Sequence, residues 1–150
     1  NLLAKSYTEL IERSGIDASE VEDVVAGCVQ QFGEQAFNIG RNAWLEAGLP
    51  IETPATTLDR QCGSGQQAVN FAAALIASGV HDVVIGGGVE HMGKLPFAAS
   101  MKTQEDFGFA FTPELMEKHK IVGQGLGAVG VVGGVQQHGG TAPDHLEPAR

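Results

Sequence analysis

The sequence predicts an α/β fold in which helices cover both faces of a largely parallel β-sheet. Short apolar segments bounded by turn residues alternate with helical patterns, and most of these helical patterns end at a glycine. Strands that alternate with helices in this way form βαβ units, whose strands run parallel. At 150 residues, with 43% hydrophobic and 18% charged side chains, the chain has the composition of one globular domain.

The charge, the hydropathy and the cysteines exclude several classes of function. Nine Lys and Arg side chains against eighteen Asp and Glu give a net charge of −9, which repels nucleic acid. No apolar stretch approaches the roughly 18 residues of a membrane helix, and two cysteines are too few for a disulfide framework. We therefore expect neither nucleic acid nor a membrane as partner, and a reducing, cytoplasmic location, with targeting to an organelle left open.

The first two elements are an amphipathic helix and a buried strand. The helical pattern at the start of the chain ends at Gly15. This pattern begins in mid-helix with no methionine before it, so we expect an upstream segment to be missing. Residues 24–29 (VVAGCV) are apolar throughout and bounded by turn residues, which predicts a buried strand.

A second helix and an edge strand follow. Residues 36–47 carry apolar side chains at helical spacing, and Gly48 followed by Pro50 ends the pattern. Residues 53–58 are β-branched and extended in character. Because Pro54 cannot donate a ladder hydrogen bond, we expect this segment at a strand end or at the edge of the sheet.

The third helix begins at a short turn that carries a cysteine. The turn comprises residues 59–65 (DRQCGSG), and the apolar helical pattern behind it ends at Gly79. Residues 82–85 (DVVI) predict another buried strand, which runs into the glycines 86–88.

The second half of the chain departs from this alternation. Phe107, Phe109 and Phe111 either line an apolar pocket or form an ordinary loop cluster. Residues 113–119 are expected to form a short helix, since proline is tolerated at a first helical position. Residues 126–150 follow neither a helical nor a strand period, and no structure is predicted for them.

Cys62 is the residue best suited to chemistry. The sequence delivers it from a strand into a Gly-Ser-Gly turn directly before a helix, and the helix N-terminus and nearby Arg60 favour a thiolate. Gly63 and Gly65 would let a substrate carbonyl approach the backbone amides, which could stabilise an oxyanion. Two interpretations stay open on this evidence: a nucleophile, or a buried cysteine whose neighbouring glycines serve only the turn.

The other candidate residues carry weaker signals. Cys28 lies inside an apolar run with no cation beside it, which predicts core packing. The glycines 86–88 lack both the dinucleotide and the P-loop fingerprint. The histidines lack the spacing of metal ligands, so no metal site is expected, and only His91 is near the expected site. The remaining histidines are His81, His119, His138 and His145.

Four segments carry a family resemblance. They are VVAGCV at 24–29, NIGRNAWLEAGLP at 38–50, DRQCGSGQQAV at 59–69 and DVVIGGGVEHMGKLPF at 82–97. In this order they resemble the N-terminal half of the thiolases, the family of acetyl-CoA acetyltransferases and 3-ketoacyl-CoA thiolases. The resemblance implies a thiolase-like layered α/β fold with a mixed, mostly parallel sheet between helices.

The resemblance also implies a division of the chain. Residues 1–97 would be the core of the N-terminal domain without its first strand, and residues 98–125 the start of the loop domain. The resemblance ends there, and residues 126–150 are expected to be a divergent glycine-rich tail, either native or encoded by a shifted reading frame.

By this resemblance Cys62 is the nucleophile of an acyltransferase. Its thiolate would attack a 3-ketoacyl-CoA, carbon–carbon cleavage would release acetyl-CoA, and coenzyme A, a substrate and not a bound cofactor, would then collect the acyl group. The backbone amide of Cys62 is implied as an oxyanion donor, and Gln124 as a residue lining the pantetheine path. Residues 56–60 are implied to pair with their twin in a homodimer or a dimer of dimers.

Three motifs of the family are absent from the sequence: Gly-His-Pro, an Asn-Glu motif and a later Cys-x-Gly. We therefore expect a fragment that does not turn over alone. Two alternatives remain, a non-catalytic dimerisation or binding module and a related ketoacyl-synthase-type enzyme. Acyl chain length and the direction, in fatty acid breakdown or synthesis, stay open. Four lysines could meet coenzyme A phosphates but read better as solvated surface residues: Lys94, Lys102, Lys118 and Lys120.

Overall fold

The computed structural model describes residues 1–97, 99–119 and 121. The chain forms two compact units, Asn1–Phe107 and Gly108–Arg150. The expectations for Lys120, for Gln124 and for the tail 126–150 fall outside the described residues.

The described residues contain five α-helices and three β-strands. In chain order these are α1 (Leu2–Ser14), β1 (Asp23–Gly27), α2 (Ile39–Glu46), β2 (Ala55–Leu58), α3 (Ser64–Ala77), β3 (Val84–Gly88), α4 (Gln104–Phe107) and α5 (Pro113–His119). Short 3₁₀ turns lie at Ala18–Glu20, Gly33–Gln35 and Ala99–Thr103. The helix α5 lies in the second unit, at the residues that the sequence predicts.

The three strands form one parallel sheet in the order β2-β1-β3. Val24 of β1 is in register with Ala55 of β2 and with Ile85 of β3. The parallel sheet and the edge position of β2, which directly follows Pro54, are confirmed. The strand limits differ from the prediction, because β3 begins at Val84 and includes the glycines, each of which has a register partner in β1.

Helix ends agree with the sequence better than helix beginnings. Gly15 ends α1 in the left-handed conformation, with φ of 69°. In contrast, α2 begins at Ile39 and not at residue 36, because Asn38 caps it with its side-chain Oδ1, which accepts the N–H of Arg41 at 3.2 Å. Phe37, predicted on the apolar face of this helix, lies outside it with φ of 53° and is 95% exposed.

One face of the sheet packs against α1 and α2. The residues of this core are Leu3, Ala4, Tyr7, Val21, Val24, Ala26, Cys28, Ile39, Ala43, Trp44 and Ile85. The rings of Tyr7 and Trp44 meet edge to face with centroids 5.8 Å apart, and the Trp44 Nε1–H donates to the Pro50 carbonyl at 2.7 Å. The core therefore joins both helices to the central strand.

The opposite face of the sheet packs against α3. Side chains alternate along a strand, so Gly27 and Gly86 point away from the first core. A Cβ on Gly86 would lie 2.9 Å from the Cα of Val69 and 3.0 Å from the Cβ of Ala72, which shows how closely α3 approaches the sheet. The two-sided covering predicted from the sequence is thus present, and it places the beginning of α3 at the carboxyl end of β1.

The outward surface of α3 is uncharged and largely apolar, with Gln66 and Asn70 as exposed polar residues. The 14 residues of this helix include no charged side chain. Val69, Phe71 and Ile76 are each about half exposed. Within the described residues, no helix is both long and apolar enough to span a bilayer.

Candidate active site

Cys62 lies in an exposed turn between β2 and α3. It directly precedes Gly63, the N-cap residue of α3. The parallel strands place this turn at the same edge of the sheet as the segments that follow β1 and β3, the edge at which open α/β sheets bind ligands. The predicted sequence of strand, turn and helix around Cys62 is therefore present, and the side chain is exposed, unlike the buried strand-end cysteine of the second interpretation.

The hydroxyl of Ser64 fixes the shape of this turn. Ser64 is only 3% exposed, and its Oγ accepts the N–H of Arg60 at 2.9 Å and donates to the Gln61 carbonyl at 2.6 Å. The backbone closes the same turn, since the Gly63 N–H donates to the Arg60 carbonyl at 3.1 Å. A single buried serine, two residues after Cys62, thus binds the two residues that precede Cys62.

Asp59 and Gln61 complete the turn. The Asp59 carboxylate accepts the backbone N–H of Gln61 at 2.6 Å and its side-chain Nε2–H at 3.1 Å. Gln61 has φ of 49°, a left-handed conformation that costs energy for a residue with a side chain. The local hydrogen bonds stabilise this conformation immediately before Cys62.

The first turn of α3 lies directly on β1. A Cβ on Gly27 would stand 2.3 Å from the carbonyl carbon of Ser64 and 2.5 Å from the backbone nitrogen of Gly65. No real Cβ tolerates such distances to backbone atoms, so only glycine permits this approach. Gly27 therefore determines how closely the beginning of α3, and with it the Cys62 turn, packs against the sheet.

Arg60 lies beside the same helix. Its guanidinium Nη1 donates to the side-chain Oε1 of Gln67, and its side chain is exposed. The structure thus places the predicted cation next to the beginning of α3, where it adds positive charge to that of the helix N-terminus.

Cys28 is a core residue, as predicted. It is 1% exposed, and burial first, then the negative charges of Glu90 and Asp59, raise the pKa of its thiol to about 11. The side-chain Nε2 of Gln35 approaches its sulfur at 3.4 Å. Such a thiol stays protonated near neutral pH and is unsuited to nucleophilic attack.

Glu90 occupies a position that the sequence analysis did not single out. Its carboxylate accepts the backbone N–H of Val29 at 2.8 Å and of Gln30 at 3.3 Å, and the side-chain Nε2–H of Gln35 at 2.8 Å. The topology could have indicated this contact, because a carboxylate that follows one parallel strand can reach the loop that follows the neighbouring strand.

The contacts described for His91 and Lys94 join them to the segment that follows β1. His91 is exposed and its backbone N–H donates to Gln35, whereas the Lys94 Nζ forms an ion pair with Glu34 at 2.9 Å. Phe107, Phe109 and Phe111 are all exposed and line no pocket that is described. Among the described residues, no group of three or more His, Cys, Asp or Glu side chains is arranged to hold a metal ion.

Two cavities open on the first unit, and Cys62 lines neither. One, of about 490 Å³, lies among residues that include Gln35, Ile39, Val89 and Leu95. The other, of about 460 Å³, lies towards the opposite end of the sheet beside Glu22 and other residues. Neither of these two cavities includes the exposed Cys62 side chain in its lining.

Comparisons with known proteins agree on one family. A family model described as the N-terminal domain of thiolase matches residues 1–135. A steroid 3-ketoacyl-CoA thiolase of Mycobacterium tuberculosis is 49% identical over 109 residues, which are 73% of this chain and 27% of that protein. A 3-ketoacyl-CoA thiolase of Pseudoalteromonas atlantica is 41% identical over 131 residues, which are 87% of this chain and 31% of that protein.

A solved structure gives the same answer for the fold. The crystal structure of the Bacillus anthracis acetyl-CoA acetyltransferase is similar with a TM-score of 0.54 and 42% sequence identity, and the match covers 57% of this chain and 21% of that chain. The resemblance inferred from the sequence motifs and the α/β fold class are both confirmed. The chain spans only 27% and 31% of the length of these two curated relatives. The family match extends to residue 135, ten residues into the segment expected to diverge.

Proposed function

Because the chain belongs to the thiolase family through its N-terminal domain, we propose that Cys62 carries the acyl group in a transfer between 3-ketoacyl-CoA and coenzyme A. The observation that supports this most directly is the position of Cys62, exposed on a braced turn at the beginning of α3. The dipole of a helix stabilises negative charge at its N-terminus, which favours the thiolate over the thiol.

The proposed reaction has two steps. In the first, the Cys62 thiolate attacks C3 of the 3-ketoacyl-CoA, the C2–C3 bond breaks, and the released enolate takes up a proton to become acetyl-CoA. In the second, the thiol of coenzyme A loses its proton and attacks the acyl-cysteine, and Cys62 leaves as thiolate. Dividing the transfer in this way replaces one difficult step with two easier ones. We propose that the backbone amide of Cys62 stabilises the oxyanion in both steps.

The chain by itself is proposed to perform the first step slowly and not to turn over. Its sequence has no Gly-His-Pro, Asn-Glu or Cys-x-Gly motif, which in this family supply the base, the second oxyanion hole and the acid. The proposed role of Gln124 on the pantetheine path belongs to the same proposal.

A homodimer is proposed through β2. This strand lies at one edge of the sheet, so its outer side has no strand partner among the described residues. An exposed strand edge is a template for pairing with another chain. If association were the only role, the chain would be a binding module. The exposed Val69, Phe71 and Ile76 on α3 are the observation that favours this second candidate.

Mass spectrometry of the purified chain tests the acyl-transfer proposal. After exposure to a 3-ketoacyl-CoA, we expect one acyl group on the peptide that contains Cys62, with release of an equal amount of acetyl-CoA. The Cys62→Ala variant should gain no acyl group, whereas Cys28→Ala should react like the parent chain. Acylation of Cys28 instead, or no adduct on a chain shown to be folded, would contradict the proposal and favour the binding module.

A further inference from the structure

The carboxylate of Glu90 joins the two segments that leave the sheet after β1 and β3. It accepts the backbone N–H groups of Val29 and Gln30, at 2.8 and 3.3 Å, just beyond the end of β1. A charged acceptor makes stronger hydrogen bonds than a neutral one. We call Glu90, the side chain of Gln35 and these two N–H groups the Glu90 network.

The buried side chain of Gln35 orients Glu90 from the other side. Its Nε2–H groups donate to the Glu90 carboxylate at 2.8 Å and to the Gln30 carbonyl at 2.9 Å. Its Oε1 accepts the N–H of His91, the residue after Glu90, at 2.8 Å. Each segment therefore donates hydrogen bonds to the other, and neither can move without breaking several of these bonds.

The end of β1 lies between this network and the Cys62 turn. The N–H of Cys28 donates to the carbonyl of Leu58 at 3.0 Å, immediately before the turn begins at Asp59. Gly27 lies under the first turn of α3. The negative charges of Glu90 and Asp59 both act on the Cys28 thiol, in agreement with a strand end that the two carboxylates flank.

We infer that Glu90 is a positioning residue for the reaction of Cys62: its carboxylate fixes the last residues of β1, on which the turn that presents the Cys62 thiol is built. The inference rests on the proposed function. Glu90 touches no reacting atom in this account, and it acts by keeping the nucleophile and the backbone amides of its turn in one geometry.

The Glu90→Gln variant of the whole chain tests this inference. Glutamine keeps the size of the side chain but replaces one acceptor oxygen with an NH₂ group, which cannot accept the N–H of Val29 or Gln30. With a 3-ketoacyl-CoA as probe, the rate of Cys62 acylation is measured over a range of concentrations. We expect the saturating rate to fall on the order of tenfold, with little change in the half-saturating concentration, because small misplacements of a reacting group cost rate more than binding.

A matched control lies on the same two segments. Glu34→Gln removes the ion pair of Glu34 with Lys94, whose side chains are both exposed, and should leave acylation unchanged. Equal saturating rates for the parent and Glu90→Gln would overturn the inference. If Glu90→Gln does not fold, Gln35→Met takes its place, because it removes the bonds of Gln35 to Glu90, to the Gln30 carbonyl and to the His91 N–H and should give a loss of the same kind.

Alkylation of Cys28 by iodoacetamide separates this inference from the proposed function. Cys28 is buried beside the network, so loss of the network should speed its alkylation in Glu90→Gln and also in Gln35→Met, which keeps the Glu90 charge that raises the pKa of this thiol, and not in Glu34→Gln. If the parent chain is never acylated, the acyl-transfer proposal fails, and Cys28 alone then decides whether Glu90 positions the strand end. Faster alkylation would support that role, and an unchanged rate would overturn it.

Discussion

Gly27 and Ser64 are in closer contact than any residue with a side chain at position 27 would permit. The carbonyl carbon of Ser64 lies 2.3 Å from the point that a Cβ of residue 27 would occupy. The same serine holds the Cys62 turn with its hydroxyl. The central strand, the third helix and the cysteine turn are therefore linked through this one contact.

Substituting Gly27 with alanine should displace the beginning of α3. The added methyl group would overlap backbone atoms of Ser64 and Gly65, which cannot rotate away as a flexible side chain can. We expect a loss of unfolding free energy of about 1–3 kcal/mol or more, typical of overpacking. Urea unfolding followed by the fluorescence of Trp44, the one tryptophan, measures this loss.

Gly87→Ala provides the control for this measurement. Gly87 lies in the neighbouring strand β3, and a Cβ there would meet nothing within 4 Å. Its substitution should change stability little. Equal losses for the two variants would mean that the effect comes from the loss of glycine in a strand and not from the contact with Ser64.

Substituting Ser64 with alanine should loosen the Cys62 turn. The variant leaves the N–H of Arg60 and the carbonyl of Gln61 without their hydroxyl partner in a partly buried position. We expect a destabilisation of about 1–3 kcal/mol, the cost of leaving such groups unsatisfied, together with slower alkylation or acylation of Cys62. Ser78→Ala, which removes an exposed hydroxyl that bonds to the Leu75 carbonyl at the other end of α3, should affect neither. A Ser64→Ala chain with parental stability would contradict the bracing role.

The sequence predicts the elements around the site because their signals are local. Glycine ends α1 at Gly15 and proline marks the edge strand β2 at Pro54, so each limit follows from the conformation of a single residue. The turn at Cys62 and the core position of Cys28 follow in the same way from neighbouring residues. No segment far away in the chain is needed for any of them.

The relationships that the sequence does not reveal join distant segments. Asn38 adopts φ of 65° because its side-chain amide donates to the carbonyl of Ala55 at 2.8 Å and its Oδ1 accepts the hydroxyl of Thr57 at 2.7 Å, and α2 therefore begins late. Glu90 meets the N–H of Val29 across 61 positions of the chain. Such contacts depend on the assembled sheet, and no periodicity in the sequence encodes them.

Substituting Ile76 with lysine should reduce self-association of the chain without unfolding it. Ile76 is about half exposed on α3, a helix with no charged residue, so a lysine there can reach water. We expect lower light scattering at high protein concentration and little change in the unfolding midpoint. Ala68→Lys on the same helix should unfold the chain, because Ala68 is fully buried against the sheet. Unchanged scattering in Ile76→Lys would contradict an associating role for this surface.

Substituting Tyr7 with phenylalanine should maintain or raise stability, in contrast to most core substitutions. The ring of Tyr7 is buried against Trp44, and its hydroxyl has no hydrogen-bond partner among the described residues. Removing a buried hydroxyl that lacks a partner relieves a penalty of about 1–3 kcal/mol, while the ring contact with Trp44 stays. Urea unfolding of the two chains at neutral pH measures the difference, and a large loss in Tyr7→Phe would reveal a hydrogen bond to this hydroxyl in solution.

The same hydroxyl makes stability depend on alkaline pH. Burial raises the pKa of Tyr7 above its ordinary value near 10, so the folded chain keeps a proton that the unfolded chain releases. Where the unfolded state binds fewer protons than the folded state, stability falls as pH rises, and the parent chain should therefore lose stability above about pH 10. Tyr7→Phe should lack this part of the loss. Tyr7 is the only tyrosine, so the phenolate absorbance of the parent chain reports its ionisation directly, and titration at the ordinary pH in the folded chain would show that the hydroxyl reaches water.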